Sequence, residues 1–286
     1  MPSIPYDPTR SALYTPAVSP APLFAAGGTC TDEQLAVEAA RLAYLKAEQS
    51  EVDRMTLTSA LALLSFAPPV VFNDSATGGQ AFGAFRADDG LALLAFRGTQ
   101  PDEATDIQAD LTATLTRWTE RSGRVHKGFA SRWRALRGPI EAWLGTQAAQ
   151  RSRLLLCGHS LGAALATLSA SVWTPALLIT IGSPRVGNEE FVQAIDVTKV
   201  KRLVNCCDLV TQVPPELPSL YVHVAHKTYI DRKGNIHDDP DADLVADDRT
   251  RARARYLVEE GWKIGNVMVR DMADHAPINY VRAVFA

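Results

Sequence analysis

The chain has 286 residues, 47% hydrophobic and 21% charged, ordinary globular values that exclude a disordered chain, a collagen and a coiled coil. Against 32 Asp and Glu there are 29 Lys and Arg, a formal net charge of −3, so no basic excess points to nucleic acid or to an anionic membrane. A chain of about 300 residues buries roughly three quarters of its unfolded surface and needs no staples; Cys30, Cys157, Cys206 and Cys207 read as free thiols, which fits a reducing compartment.

Residues 1–30 read as an extended N-terminal arm with proline at 2, 5, 8, 16, 20 and 22, not as a signal peptide. The default location is therefore the cytoplasm. No apolar run reaches the roughly 18 residues of a spanning helix. Residues 31–286 read as a single domain without repeats. Thr31-Asp32-Glu33-Gln34 predicts a capping box, with Leu35, Ala39, Leu42 and Leu45 following at helical spacing. A second helix is predicted over 53–66, ending at Pro68-Pro69, and a hairpin over 79–98 with its turn at Asp88-Asp89-Gly90. The pattern from Lys127 to Gln150 is helical, with Gly138-Pro139 expected to kink or split it. Short apolar strands follow at 154–157, 176–181, 201–205 and 221–230, with helices at 161–172, about 241–259 and about 275–285. Strands alternating with helices predict a mostly parallel sheet covered on both faces.

Gly158-His159-Ser160-Leu161-Gly162 lies between an apolar strand and an Ala-rich helix. The bare G-x-S-x-G pattern is weak; its context gives it meaning. A serine at such a turn takes a strained backbone that lifts its hydroxyl clear of the sheet, and the glycines let strand and helix pass closely. The bland reading is a glycine-flanked helix cap; the chemical one makes Ser160 a nucleophile. A serine hydroxyl needs a base, normally a histidine held by a carboxylate, in the chain order serine, acid, histidine. Of the histidines after Ser160, His223 and His226 read as strand residues and His237 lies in a polar turn. His275, in a loop before the final helix, is the candidate base. Asp208, following Leu203–Cys207 at a strand end, is the candidate acid, with Asp231, Asp271 and Asp274 as rivals.

These residues resemble the class 3 lipases, the fungal-lipase-like branch of the α/β-hydrolases. The matching elements are Ala95–Thr99, Asp106–Leu111, Val125–Phe129, Gly158–Gly162, Gly182–Asn188, Asn205-x-x-Asp208 before Pro214-Pro215, and Asp274-His275 with Tyr280. The resemblance covers about 31–286. It implies an α/β-hydrolase fold and a cofactor-free serine ester hydrolase acting on acylglycerols or related fatty-acyl esters. A phospholipase or acyltransferase using the same residues is the alternative, and a catalytically silent lipid- or partner-binding module a further one. It carries over Ser160, Asp208 and His275 as the triad and the backbone N–H groups of Thr99 and Leu161 as the oxyanion hole. His126 is structural by the same analogy, His159 packs under the turn, and the secretion of many relatives leaves that location open.

Two features depart from the family. The segment Gln100–Asp106, where an amphipathic lid is expected, is acidic and almost without apolar side chains, which argues for an open, esterase-like site. Asp208 and His275 are 67 residues apart, longer than usual, with the extra chain at about 231–256. Its Asp239-x-Asp241-x-Asp243 run lacks the glycine and glutamate of a calcium loop, having Leu244 and Thr250 there, and reads instead as the acidic start of a helix.

Overall fold

The computed structural model describes residues 4–17, 21–99, 114–216 and 220–286. The arm carries a one-turn helix, α1 (Arg10–Tyr14), capped by Thr9, whose side chain accepts from Ala12 N. The arm is therefore not extended throughout, and Ala12 and Leu13 of its helix are buried in the hydrophobic core. Helix α2 (Asp32–Leu42) begins with both halves of the expected capping box, and its Leu35, Ala36, Ala39 and Leu42 are buried. Helix α3 (Glu51–Ala62) starts earlier than predicted because Ser50 supplies the cap, accepting from Asp53 N. It also ends earlier, and Ser65 beyond it takes a positive φ of 61°.

Strand β1 (Val70–Asp74), hidden in the sequence behind the double proline, pairs antiparallel with β2 (Gly79–Arg86). The expected hairpin joins β2 to β3 (Leu91–Phe96) through Gly90 at φ +65°. Strands β4 (Leu115–Arg117) and β5 (Arg124–His126) form a small separate ribbon. Helix α4 (Lys127–Gly145) runs through Pro139 as one element, so the helix is not split there. Trp133 and Leu136 before the proline and Ile140 and Trp143 after it bury on one continuous face, and that packing offsets the missing backbone bond.

The rest alternates: β6 (Arg153–His159), α5 (Leu161–Val172), β7 (Leu177–Ile181), α6 (Glu189–Val192) and β8 (Val200–Asn205). Then come β9 (Lys227–Ile230), β10 (Ile236–Asp238), α7 (Ala242–Glu259), α8 (Arg270–Ala273) and α9 (Pro277–Val284). Strand β9 is shorter than the predicted 221–230. His223 and His226 lie outside it, His223 because its Nε2 is bound to Thr211 O at 2.8 Å. The described strands form an eight-stranded sheet in the order β1-β2-β3-β6-β7-β8-β9-β10. The four central pairings are parallel and the edges antiparallel.

Alternation along β6 shows why both faces are covered. Leu155 and Cys157 pack into the core shared with α2 and α9, and Leu154 and Leu156 into the core under α4 and α5. This is the expected α/β-hydrolase layering, with loops gathered at the carboxyl ends of the parallel strands. All four cysteines are free. Among the described residues no helix is long and apolar enough to cross a membrane.

Candidate active site

Strand β6 delivers the chain into Ser160 at φ +58° and ψ −125°, and α5 starts at the next residue. A non-glycine residue held there stores about 1–3 kcal/mol of backbone strain. Close packing holds it. A Cβ on Gly158 would run into the backbone of Gly162, and one on Gly162 into the Phe96 carbonyl. Ser160 N donates to Ile181 O at 3.0 Å, tying the turn to the end of β7. Ser160 itself is 3% exposed.

Gly182, directly after β7, is where two of the expected site residues, Asp208 and His275, meet Tyr280. It sits at φ +58°, and a Cβ there would lie 2.8 Å from Asp208 Oδ2, 3.1 Å from the Tyr280 hydroxyl and 3.2 Å from His275 Cε1. Asp208, in the loop after β8, is fully buried. Its Oδ2 takes His275 Nδ1 at 2.9 Å and the Tyr280 hydroxyl, and its Oδ1 takes Val210 N at 2.9 Å. Burial, reinforced by Asp208, pushes the Tyr280 phenol far above its usual range, so it remains a donor. With Nδ1–H committed to Asp208, a neutral His275 keeps its lone pair on Nε2.

The rival residues have other partners. Asp231 pairs with His237 at 3.2 Å, Asp271 with Arg253 at 2.6 Å, and the exposed His226 with Asp239 at 3.0 Å. Asp274, though adjacent to His275, faces away into a buried pair with Arg270 at 3.0 Å. Asp241 caps α7, accepting from Leu244 N at 2.7 Å. The sulfurs of Cys206 and Cys207 and an Asp274 oxygen lie within 4.8 Å of one another, but the Arg270 guanidinium already occupies the cationic position beside that carboxylate.

Of the expected oxyanion donors, Leu161 N opens α5, where backbone N–H groups lack helical acceptors. Thr99 follows Gly98, at which a Cβ would lie 2.7 Å from His159 O and 3.2 Å from Ser160 Cβ. The strand-end loop therefore abuts the serine turn. The segment read as lacking an apolar lid, 100–106, and the motif at 106–111 lie outside the described residues. His126 caps α4, its Nδ1 accepting from Phe129 N at 3.4 Å.

His159 has a larger part than packing. Its Nε2 donates to the His275 carbonyl at 2.7 Å and its Nδ1 accepts from the Tyr44 hydroxyl at 2.8 Å. The carbonyl can only accept, which fixes the neutral tautomer. Burial, then the neighbouring His275, hold the His159 imidazole well below its usual pKa. Nothing in the sequence marked Tyr44 as its partner, since the two are 115 residues apart.

Comparison with known proteins shows what the chain is similar to. Residues 93–217 match the family described as Lipase (class 3), so the resemblance read from the motifs holds over a segment that includes the serine turn and Asp208. A chloroplastic phospholipase A(1), DAD1, from Arabidopsis thaliana is 33% identical over 152 residues, covering 43% of this chain and 33% of that protein. The secreted mono- and diacylglycerol lipase A of Penicillium camembertii is 34% identical over 155 residues, covering 50% and 49%. The chain thus spans half or less of these relatives' lengths. Lipase II from Rhizopus niveus superposes with a TM-score of 0.58 at 22% identity, over 70% of this chain and 79% of that one, which establishes the α/β-hydrolase fold.

Proposed function

We propose, with the class 3 lipase match of residues 93–217 as premise, that the chain is a serine carboxylic ester hydrolase acting on fatty-acyl esters. The observation that carries this reading is the 2.9 Å bond from His275 Nδ1 to Asp208 beside Gly182, whose neighbour Ile181 holds the strained Ser160 turn. In this reading Ser160 Oγ attacks the ester carbonyl carbon while His275 Nε2 takes its proton. Asp208 stabilises the resulting imidazolium. The carbonyl oxygen, now negative, is met by the N–H groups of Leu161 and Thr99, donors worth about 3–4 kcal/mol each because they meet charge that exists only in the transition state. The alcohol leaves with the proton from His275. Water, deprotonated by the same imidazole, then frees the acid and restores Ser160.

Hydrolysis of p-nitrophenyl esters tests it, together with covalent labelling by a fluorophosphonate. Ser160→Ala is expected to abolish labelling and lower the rate by about 10⁴ or more. A variant that kept most of its activity would overturn the reading. Because relatives include both a phospholipase A(1) and a mono- and diacylglycerol lipase, the shared substrate feature is a glycerol fatty-acyl ester. Rates on diacylglycerol against phosphatidylcholine separate the two.

A further inference from the structure

The N-terminal segment reaches the loop that carries His275. The Tyr6 hydroxyl donates to Asp274 Oδ1 at 2.9 Å, and Asp274 immediately precedes His275. The other carboxylate oxygen, Oδ2, takes Cys207 N and Arg270 Nε, each at 3.0 Å. The Asp274 backbone carbonyl takes Asn205 Nδ2 at 2.9 Å. Tyr6 is itself held. Its ring centroid lies 5.2 Å from the Arg270 guanidinium and 4.9 Å from that of Arg282, within cation–π reach of both. The flanking backbone is sewn to the same loop. Asp7 N donates to Asn279 Oδ1 at 2.9 Å, Asn279 Nδ2 returns a bond to Asp7 O at 2.7 Å and bonds Ala273 O at 2.9 Å. Val267 N donates to Pro8 O at 2.9 Å.

Asp274 is fully buried, and among the described residues Tyr6 is the donor to its Oδ1. A buried carboxylate oxygen stripped of its donor cannot turn to water for another. Any shift of the Asp274 loop that restores a partner to this oxygen passes to His275, the next residue in the chain. A displacement of about 1 Å in a catalytic group costs on the order of a hundredfold in rate. We propose that Tyr6 is a positioning residue for His275, acting through Asp274, so that the N-terminal segment is part of the active-site architecture and not an accessory arm. This rests on the reading of His275 as the base of an ester hydrolase.

The test uses full-length protein and three variants: Tyr6→Phe, Tyr6→Ala and, as a control in the same segment, Thr9→Val. The control removes the cap of α1 without touching Asp274. Fluorophosphonate titration of the wild type comes first and normalises every rate to competent sites, which removes any loss due to misfolding. Tyr6→Phe is expected to lower kcat and the labelling rate about tenfold, with KM for a soluble ester within about twofold, and Tyr6→Ala to lower kcat about a hundredfold. Thr9→Val keeps the wild-type rate per site. The low-field proton resonance of the His275 Nδ1–H bond to Asp208 shifts or broadens in Tyr6→Phe. If wild type labels but both Tyr6 variants keep its rate per titrated site and its resonance, Tyr6 only fastens the arm and the proposal fails. If wild type does not label, the hydrolase reading fails first.

Discussion

Asp208 and Asp274 anchor each other's loops. The Asp208 carboxylate holds the imidazole of His275, one residue after Asp274. The Asp274 carboxylate holds the backbone N–H of Cys207, one residue before Asp208. Asn205 closes the frame, its side chain on the Asp274 carbonyl and its backbone N–H on the Tyr280 hydroxyl, which in turn donates to Asp208. The two acids have different partners despite equal burial: one faces an imidazole that gains charge in the proposed mechanism, the other a permanent cation.

That division predicts different leading phenotypes for the same substitution: loss of rate at Asp208 and loss of stability at Asp274. Asp208→Asn keeps the shape and loses the charge and the acceptor geometry that fix the His275 tautomer, so kcat is expected to fall by about 10⁴, while unfolding free energy falls by less than in Asp274→Asn because the neutral amide oxygen can still accept from Tyr280 or Val210 N. Asp274→Asn leaves the Arg270 guanidinium buried without its counter-charge and is expected to cost about 3–5 kcal/mol of stability. Urea unfolding monitored alongside ester hydrolysis separates them. Equal stability losses in both variants would refute the division.

Gly182→Ala is a second prediction. The residue has a positive φ, and its missing side chain is the space in which Asp208, Tyr280 and His275 meet. A methyl group there must displace the carboxylate or the ring. The expected outcome is a fall in kcat of about a hundredfold, with KM for a small soluble ester nearly unchanged, because the damage is to alignment and not to substrate contact. Steady-state kinetics on p-nitrophenyl acetate measure both, and a change confined to KM would place Gly182 in the substrate pocket instead.

Tyr280→Phe removes one donor from Asp208 and the acceptor of Asn205 N–H. A hydrogen bond to a buried charge contributes about 1.5–3 kcal/mol. Stability measured by urea unfolding is expected to drop by that amount, while the His275–Asp208 bond itself persists. Full stability in the variant would mean that Asp208 finds another donor.

How much of this was legible beforehand follows from the range of the forces involved. The α5 boundaries, the Thr31 capping box and the β2–β3 hairpin were readable because each is fixed within a few residues by caps, turns and alternation. Ser160, Asp208 and His275 stood out as candidates because strand-end and turn positions leave local marks, and the structure pairs Asp208 with His275. Strand β1 was missed because the double proline before it reads as a break, and the unsplit α4 was not foreseen because the packing of Trp133 and Trp143 on either side of Pro139 is a tertiary effect. The bonds Tyr44–His159 and Tyr6–Asp274 join residues 115 and 268 positions apart, and no periodicity within either segment encodes them.

The acid sensitivity of the fold gives the last prediction. Burial holds His159 well below its usual pKa, reinforced by His275, and burial does the same to His223, reinforced by Arg202 and Arg185. Both are therefore neutral in the folded protein, while in the unfolded chain each takes up a proton as the pH falls through about 6.5. Above that value neither state binds the extra protons and stability is level. Below it the unfolded state binds up to two more, so unfolding becomes more favourable by about 1.4 kcal/mol per histidine for each pH unit, or about 2.7 kcal/mol for the pair. The carboxylates Asp231 and Asp248 are held below their usual range, Asp231 chiefly by Asn235 and Asp248 by Arg232, both against the opposing effect of burial; their contribution is present at neutral pH and is lost only on more acidic titration. A decline that starts near pH 6.5 is therefore the signature of the histidines. Urea unfolding at pH 7.5, 6.0 and 5.5 measures it, and His223→Gln is expected to halve the slope. A flat stability over that interval would show that both rings are protonated as readily in the folded protein as in the unfolded chain.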